Sequence, residues 1–181
     1  KRTGRKLYCL FVDIKKAFPS TDQDVMWWKI HATGTHRTQG RIWRIIRKLY
    51  RSARSRVRTR KPFTESDWYD IDAGCREGAV LIPIIFLRFI NDIIEAIRPY
   101  SNCELLGVWI GMLLFADDMI LVAESLEELQ RMANALSCYF CRWRIRFSLS
   151  KTNVVVFGES HEERARRLAT TGRVHITVGA N

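Results

Sequence analysis

Met112-Leu113-Leu114-Phe115-Ala116-Asp117-Asp118-Met119-Ile120-Leu121-Val122 is two apolar runs joined by a short turn that carries two adjacent carboxylates. The runs have strand length and the interruption has hairpin length, so the spacing predicts an antiparallel hairpin with Asp117 and Asp118 at its tip. Leu7 to Val12 is another uninterrupted apolar run, and it ends in Asp13. That pattern predicts a strand buried on both faces that delivers one carboxylate at its C-terminal end. Ionised carboxylates beside apolar residues are costly unless paired or bound to a cation, and two such neighbours repel each other. Asn-Gly would serve a turn that needed only polarity, whereas hard oxygen donors on two strand ends suit Mg²⁺. Two such ions about 3.5 to 4 Å apart can activate an attacking hydroxyl and stabilise the leaving oxygen of an in-line phosphoryl displacement.

Around these strands lie 181 residues, 47% hydrophobic and 27% charged, which excludes wholesale disorder, collagen and coiled coils. The 30 Lys and Arg against 19 Asp and Glu give a net charge of +11, which favours a polyanionic partner. The excess is local. Between Val25 and Thr64 stand twelve Lys or Arg and no acid, while the rest of the chain is close to neutral. The longest apolar run, Ala79 to Leu87, contains Pro83 and falls far short of the roughly 20 residues of a bilayer span. No membrane segment and no signal peptide are expected, and five scattered cysteines fit reduced thiols in an intracellular protein, nuclear or cytoplasmic. Cys138 and Cys141 have metal-type spacing but no second pair, so core cysteines are expected there rather than zinc ligands.

Along the chain, Ser20 to Asp22 offer N-cap oxygens to a helix from Val25 that Gly34 closes. A second helix puts Ile42, Ile45, Ile46, Leu49 and Tyr50 on one face and Arg37, Arg41, Arg44, Lys48 and Arg51 on another. The period then changes to two: Arg54, Arg56, Arg58 and Arg60 alternate with smaller residues, predicting a strand with one wholly cationic face and a hairpin partner in Phe63 to Ile71. Leu81 to Ile97 reads as one long buried helix, with Pro83 in its first turns. Val108 to Ile110 is expected as a strand, then the hairpin, then a helix from Leu126 to about Tyr139 capped by Ser125 or Glu124. Trp143 to Leu149 and Asn153 to Phe157 are expected as strands, Glu162 to Ala169 as an exposed helix, and Val174 to Val178 as a last strand. Without repeats or linkers, one domain is expected.

Phe11-Val12-Asp13-Ile14-Lys15-Lys16-Ala17-Phe18, then Gly74-Cys75-Arg76-Glu77-Gly78-Ala79-Val80-Leu81-Ile82-Pro83, then Phe115-Ala116-Asp117-Asp118 resemble the A, B and C motifs of reverse transcriptases. Phe89-Ile90-Asn91-Asp92, Lys151-Thr152 and Val156-Phe157-Gly158 match later landmarks of the non-LTR, LINE-like retrotransposon subtype, and order and spacing agree over roughly residues 5 to 160. The resemblance implies an α+β polymerase palm, ferredoxin-like or RRM-like, an antiparallel sheet with helices packed on one face. It implies a palm over 1–160, a connecting segment over 161–181, and fingers, thumb and endonuclease regions supplied by a longer polyprotein. It further implies RNA-directed DNA polymerase activity, with an RNA template, a DNA primer and deoxynucleoside triphosphates as partners.

Carried over residue by residue, the resemblance implies that Asp13 and Asp117 hold two Mg²⁺ ions, or Mn²⁺ in their place. Asp118 is then the less strictly required neighbour, and Ile14 lends its backbone carbonyl. Phe18 matches the bulky residue below the sugar, where a ring would clash with a 2′-hydroxyl. Arg76, Glu77 and Gly78 lie at the substrate, and Lys151 matches the lysine proposed as general acid for the departing pyrophosphate. Arg54, Arg56, Arg58 and Arg60 offer a track for the template backbone. Three residues depart from the family pattern: Glu77 stands in place of Gln, Ile82 in place of Ser and Ser148 in place of Asn. Each removes a polar contact; Glu77, Ile82 and the missing fingers support the alternative of an inert RNA-binding or scaffold module, and the intact Asp13, Asp117, Asp118 and Phe18 oppose it. An RNA-dependent RNA polymerase is disfavoured by Phe18 and by Ala116, where such enzymes typically carry Gly.

Overall fold

The computed structural model describes residues 6–33, 40–51, 53–71, 74, 80–170 and 176. In chain order its elements are β1 (Leu7–Asp13), α1 (Gln23–Thr33), α2 (Arg41–Arg51), β2 (Arg54–Ser55), β3 (Arg58–Arg60), β4 (Phe63–Glu65), β5 (Tyr69–Asp70), α3 (Ile82–Ile90), α4 (Ile93–Ile97), β6 (Glu104–Leu105), β7 (Val108–Trp109), β8 (Met112–Phe115), β9 (Asp118–Ala123), α5 (Leu126–Arg142), β10 (Asn153–Phe157) and α6 (His161–Thr170). They divide into two units, one made of residues 1–15 and 90–181, the other of 16–89.

The first unit is built on a four-stranded antiparallel sheet in the order β10-β1-β9-β8. Side chains alternate across it. Leu10, Val12, Met119, Leu121 and Ala123 share one face and are buried, and α5 packs against β1 and β9. The other face is covered only in part. Cys9 and Val122 form a cluster there with Cys103, Leu7, Ile110 and Ile120, and burial pushes both thiols upward in pKa. Towards Asp13 the same face lies open, with Phe11, Leu113 and Phe115 exposed.

α5 begins at Ser125, whose hydroxyl accepts from the Glu128 amide at 3.1 Å, so of the two candidate caps the serine is the one used. The buried Glu128 carboxylate in turn accepts from the backbone N–H groups of Asn102 (2.8 Å) and Glu124 (3.0 Å). At its far end α5 runs to Arg142 and closes with Arg144 at φ 55°, the Ile145 amide donating to the Phe140 carbonyl and the Arg144 amide to Cys141. This is a Schellman closure with arginine where glycine is usual, and it diverts the chain that was expected to continue as a strand from Trp143. Only Phe147 bridges, to Ile14. Cys138 and Cys141 fall on the outer side of α5 and are exposed, not in the core as expected.

The long helix expected from Leu81 to Ile97 is interrupted at Asn91-Asp92. The Tyr139 hydroxyl, whose pKa burial and Asp92 drive upward, donates to the Asp92 carboxylate at 2.6 Å and lies 3.4 Å from the Ile90 carbonyl. The Asp92 carbonyl then accepts from Glu95 and Ala96 to start α4. A side-chain donor at the end of α3 thus stands where the helix would otherwise propagate.

In the second unit the Asp22 carboxylate accepts from the Val25 amide at 3.0 Å and caps α1. Trp27 is fully buried and meets Trp43 edge-on at 5.2 Å, while Trp28 is exposed. The apolar face expected of α2 is only partly used: Tyr50 is buried, but Ile45 and Leu49 are exposed. Arg54 to Asp70 forms two small ladders, β2 with β5 and β3 with β4, so Phe63 to Ile71 is the expected hairpin partner. Helix closure at Gly34 and the strand Val174 to Val178 lie outside the described residues, Ile176 apart.

Candidate functional site

β1 and β9 pair so that Asp13 stands directly opposite Asp118. Opposed residues in an antiparallel ladder leave the same face, with Cβ atoms about 5 Å apart. The two carboxylates therefore share the open face of the sheet, at the end that the Cys103 cluster leaves uncovered. Asp118 is not at the hairpin tip. It pairs with Phe115 as the first residue of β9, and the tip is Ala116-Asp117, with Ala116 at φ 54°. Asp117 is half-buried in that turn.

Lys151 reaches the pair from a distant part of the chain. After α5 the backbone runs beside the end of β1: the Lys15 amide donates to the Arg146 carbonyl at 2.9 Å, and the Ser148 amide to the Asp13 carbonyl at 2.8 Å. A turn follows in which the Lys151 and Thr152 amides donate to the Ser148 carbonyl. It sets the Lys151 Nζ 3.4 Å from Asp13 Oδ1. Ser148, one of the departures noted above, works here through its backbone. A cleft of about 350 Å³ is lined by Phe11, Val12, Asp13, Asp118, Met119, Ile120 and Lys151.

The structure thus brings together Asp13, Asp118 and Lys151, with Asp117 adjacent in sequence. Among the described residues no three Asp, Glu, His or Cys side chains converge as a metal cage. The donor set still fits a hard divalent cation, because two carboxylates face the same cleft and bound water can complete the coordination that Mg²⁺ prefers. Ile14 is buried and bridged to Phe147. Phe18 belongs to the second unit, where its ring meets Phe86 edge-on at 5.2 Å. Arg76, Glu77 and Gly78 lie outside the described residues. Phe11 and Ile120, walls of the cleft, were not singled out from sequence, although a step of two from Asp13 and from Asp118 puts them on this face.

The cationic strand face requires correction. Arg54 pairs with Asp70 at 3.2 Å, Arg58 with Glu65 at 2.6 Å, and Arg56 also with Glu65. No acid lies inside the basic segment, but the ladders bring in two from just beyond it, so the face is part-neutralised. Among the described residues Arg60 has no acidic partner.

Residues 1–172 match the family model described as Reverse transcriptase (RNA-dependent DNA polymerase). The Retrovirus-related Pol polyprotein from type-1 retrotransposable element R2 of Nasonia vitripennis is 30% identical over 125 residues, 68% of this chain and 12% of the relative. The apo telomerase of Candida tropicalis, truncated from its C-terminal domain, superposes with a TM-score of 0.63 at 13% identity, covering 87% of this chain and 32% of that one. Telomerase of Candida albicans, in complex with the TWJ fragment of telomeric RNA, gives 0.61 at 16% identity, covering 85% and 28%. At such identities the telomerases speak for the fold alone. The family model over almost the whole chain and the R2 relative speak for descent: the chain belongs to the reverse transcriptase (RNA-dependent DNA polymerase) family, of the non-LTR retrotransposon kind.

Proposed function

We propose that this segment is the palm of an RNA-directed DNA polymerase and carries its nucleotidyl-transfer centre. The observation that supports this most is the Asp13–Asp118 register pair with Lys151 3.4 Å from Asp13, at the open end of the sheet. Asp13, Asp118 and the adjacent Asp117, with the Ile14 carbonyl, would hold the divalent ions. When bound, Mg²⁺ supplies Lewis-acid activation of a primer 3′-hydroxyl and offsets charge on the phosphates. The chain's own groups do the rest. Phe11 and Ile120 wall the cleft with apolar surface, which strengthens electrostatics inside it. As the primer 3′-hydroxyl gives its proton to solvent and its oxygen forms a bond to the α-phosphorus, the bond to pyrophosphate breaks, and Lys151 Nζ gives its proton to the leaving oxygen and recovers one from solvent. Phe18 would exclude a 2′-hydroxyl, and the RNA template, DNA primer and deoxynucleotides are the implied partners. Arg76, Glu77 and Gly78 would contact the nucleotide. Fingers, thumb and endonuclease functions would come from the rest of a polyprotein of which the chain matches 12% in the R2 relative.

Primer extension on an RNA template, with the segment inside its longer polyprotein, tests the proposal. Mg²⁺-dependent incorporation abolished by Asp13→Asn or Asp117→Ala is expected. Incorporation that survives both substitutions would refute it. The second reading, an inert RNA-binding module, is favoured by Ile82, which is buried at the start of α3 and offers no polar contact; absence of all extension with RNA binding intact would select it.

A further inference from the structure

The ladders of the second unit present an arrangement that the sequence pattern of arginines did not show. In β3 and β4, Arg58 opposes Glu65 and Arg60 opposes Phe63, so these four side chains leave one face, while Thr59 and Thr64 occupy the other with their hydroxyls 2.6 Å apart. The Arg58 guanidinium lies 5.5 Å from the centre of the Phe63 ring, and that of Arg56 lies 4.8 Å from the Trp68 ring. Both rings are far from core positions: Phe63 is 67% and Trp68 57% exposed. Every residue of β3 and β4 is likewise exposed.

Burial does not account for two large exposed rings backed by guanidinium groups. Arg54, Arg56 and Arg58 are engaged by Asp70 and Glu65, so a phosphate approaching them must displace a carboxylate. The uncommitted surface is aromatic, and beside it Arg60, which opposes Phe63, has no acidic partner among the described residues. Exposed rings interleaved with arginines are what unpaired bases stack on, and duplexed bases cannot reach them. From Arg54 to Asp70 the ladders carry five Lys or Arg against three acids, Glu65, Asp67 and Asp70, and the surplus of cations favours a polyanion.

We propose that the Phe63–Trp68 face of the β2–β5 ladders is a docking platform for single-stranded RNA. Trp68 and Phe63 stack bases, Arg60 holds a phosphate, and Glu65 acts as a tether that exchanges Arg56 and Arg58 between itself and the RNA. This deepens the proposed function and rests on it for the identity of the RNA as a template.

The test is a fluorescence anisotropy titration of a labelled unstructured RNA, its duplex, a single-stranded DNA of the same sequence and labelled polyglutamate, without nucleotide or Mg²⁺. Trp68→Ala and Phe63→Ala should each weaken single-stranded RNA binding by about fivefold or more and leave duplex binding unchanged. Glu65→Gln, which frees two guanidinium groups, should tighten RNA binding and steepen its salt dependence. Equal losses on RNA and duplex, no loss in either ring variant, or tighter binding of DNA or of polyglutamate than of RNA would overturn the platform. Because the titration involves no chemistry, a protein that binds as described but never extends a primer would sink the polymerase proposal and leave the platform standing.

Discussion

Replacing Asp118 by Asn should stabilise the protein in the absence of metal while removing most of its response to metal. Asp13 and Asp118 face each other across the β1–β9 ladder, so two carboxylates on Cβ atoms about 5 Å apart repel. Coulomb's law at that distance gives about 0.8 kcal/mol at the dielectric constant of water and about 3 at an effective value near 20. Asp118 is exposed but the Asp13 side chain is only 25% exposed, so the repulsion lies between these limits and nearer the aqueous one, at about 1 to 1.5 kcal/mol, and Lys151 offsets part of it. A gain of about 0.5 to 1 kcal/mol is left, which for 181 residues raises Tm by about 1 to 4 °C. In about 10 mM Mg²⁺ a wild-type site of about millimolar affinity gains about 1.4 kcal/mol by mass action, and the variant should lose most of that gain. Differential scanning fluorimetry in EDTA and then in Mg²⁺ reads both effects. A variant that melts at or below the wild-type temperature in EDTA, and shifts as much as wild type in Mg²⁺, would refute the coupling of these two carboxylates through one cation site.

Glu128→Ala should cost about 2 to 4 kcal/mol in urea unfolding, because it leaves the Asn102 and Glu124 amides without their acceptor, and Glu128→Gln, which keeps one oxygen, should cost less. Glu163 is held below its ordinary value of 4.5 first by the Ser160 backbone amide and then by Lys6. Its contribution to capping α6 is therefore present above that value and lost as pH falls through the lowered one; helical carbon shifts of residues 161–166 should collapse only on the acid side of pH 4.5, and collapse near neutrality would contradict this. Phe18→Ala in the longer polyprotein should relax selection of deoxynucleotides over ribonucleotides by roughly tenfold to a hundredfold in single-nucleotide primer extension. Unchanged selection would leave Phe18 as a plain packing partner of Phe86.

Strands whose patterns were unambiguous could be read from the chain. Leu7 to Asp13 and the hairpin either side of Ala116-Asp117 form where the apolar runs place them, because burial on the helix-covered face admits few alternatives, and Asn153 to Phe157, none of it fully buried, forms as expected by pairing along β1. Register was not legible. The pattern put Asp117 and Asp118 together at the tip, whereas pairing makes Asp118 a strand residue facing Asp13. What failed elsewhere depended on partners distant in sequence. The helix break at Asn91 involves Tyr139, and the end of α5 closes on Arg144, a residue with no glycine signal. The ion pairs of Arg54 to Arg58 come from acids that the ladders bring across. Lys151 could be assigned to the site only through family resemblance, since its approach to Asp13 is produced by the path of residues 146–148 beside β1.

The sheet also carries a timing problem. Its second-position strand, β1, is made first, yet its partners β9 and β10 follow only after the whole of residues 16–89. At a synthesis rate of about 5 to 20 residues per second, roughly a hundred residues separate Asp13 from Asp118 by about 5 to 20 s. Throughout that interval Leu7 to Val12 is an apolar strand with both edges unpaired on a nascent chain, the kind of segment that chaperones hold and that aggregates recruit. Slower translation upstream of Asp118 should therefore lower the soluble yield of this protein more than slower translation beyond Phe157.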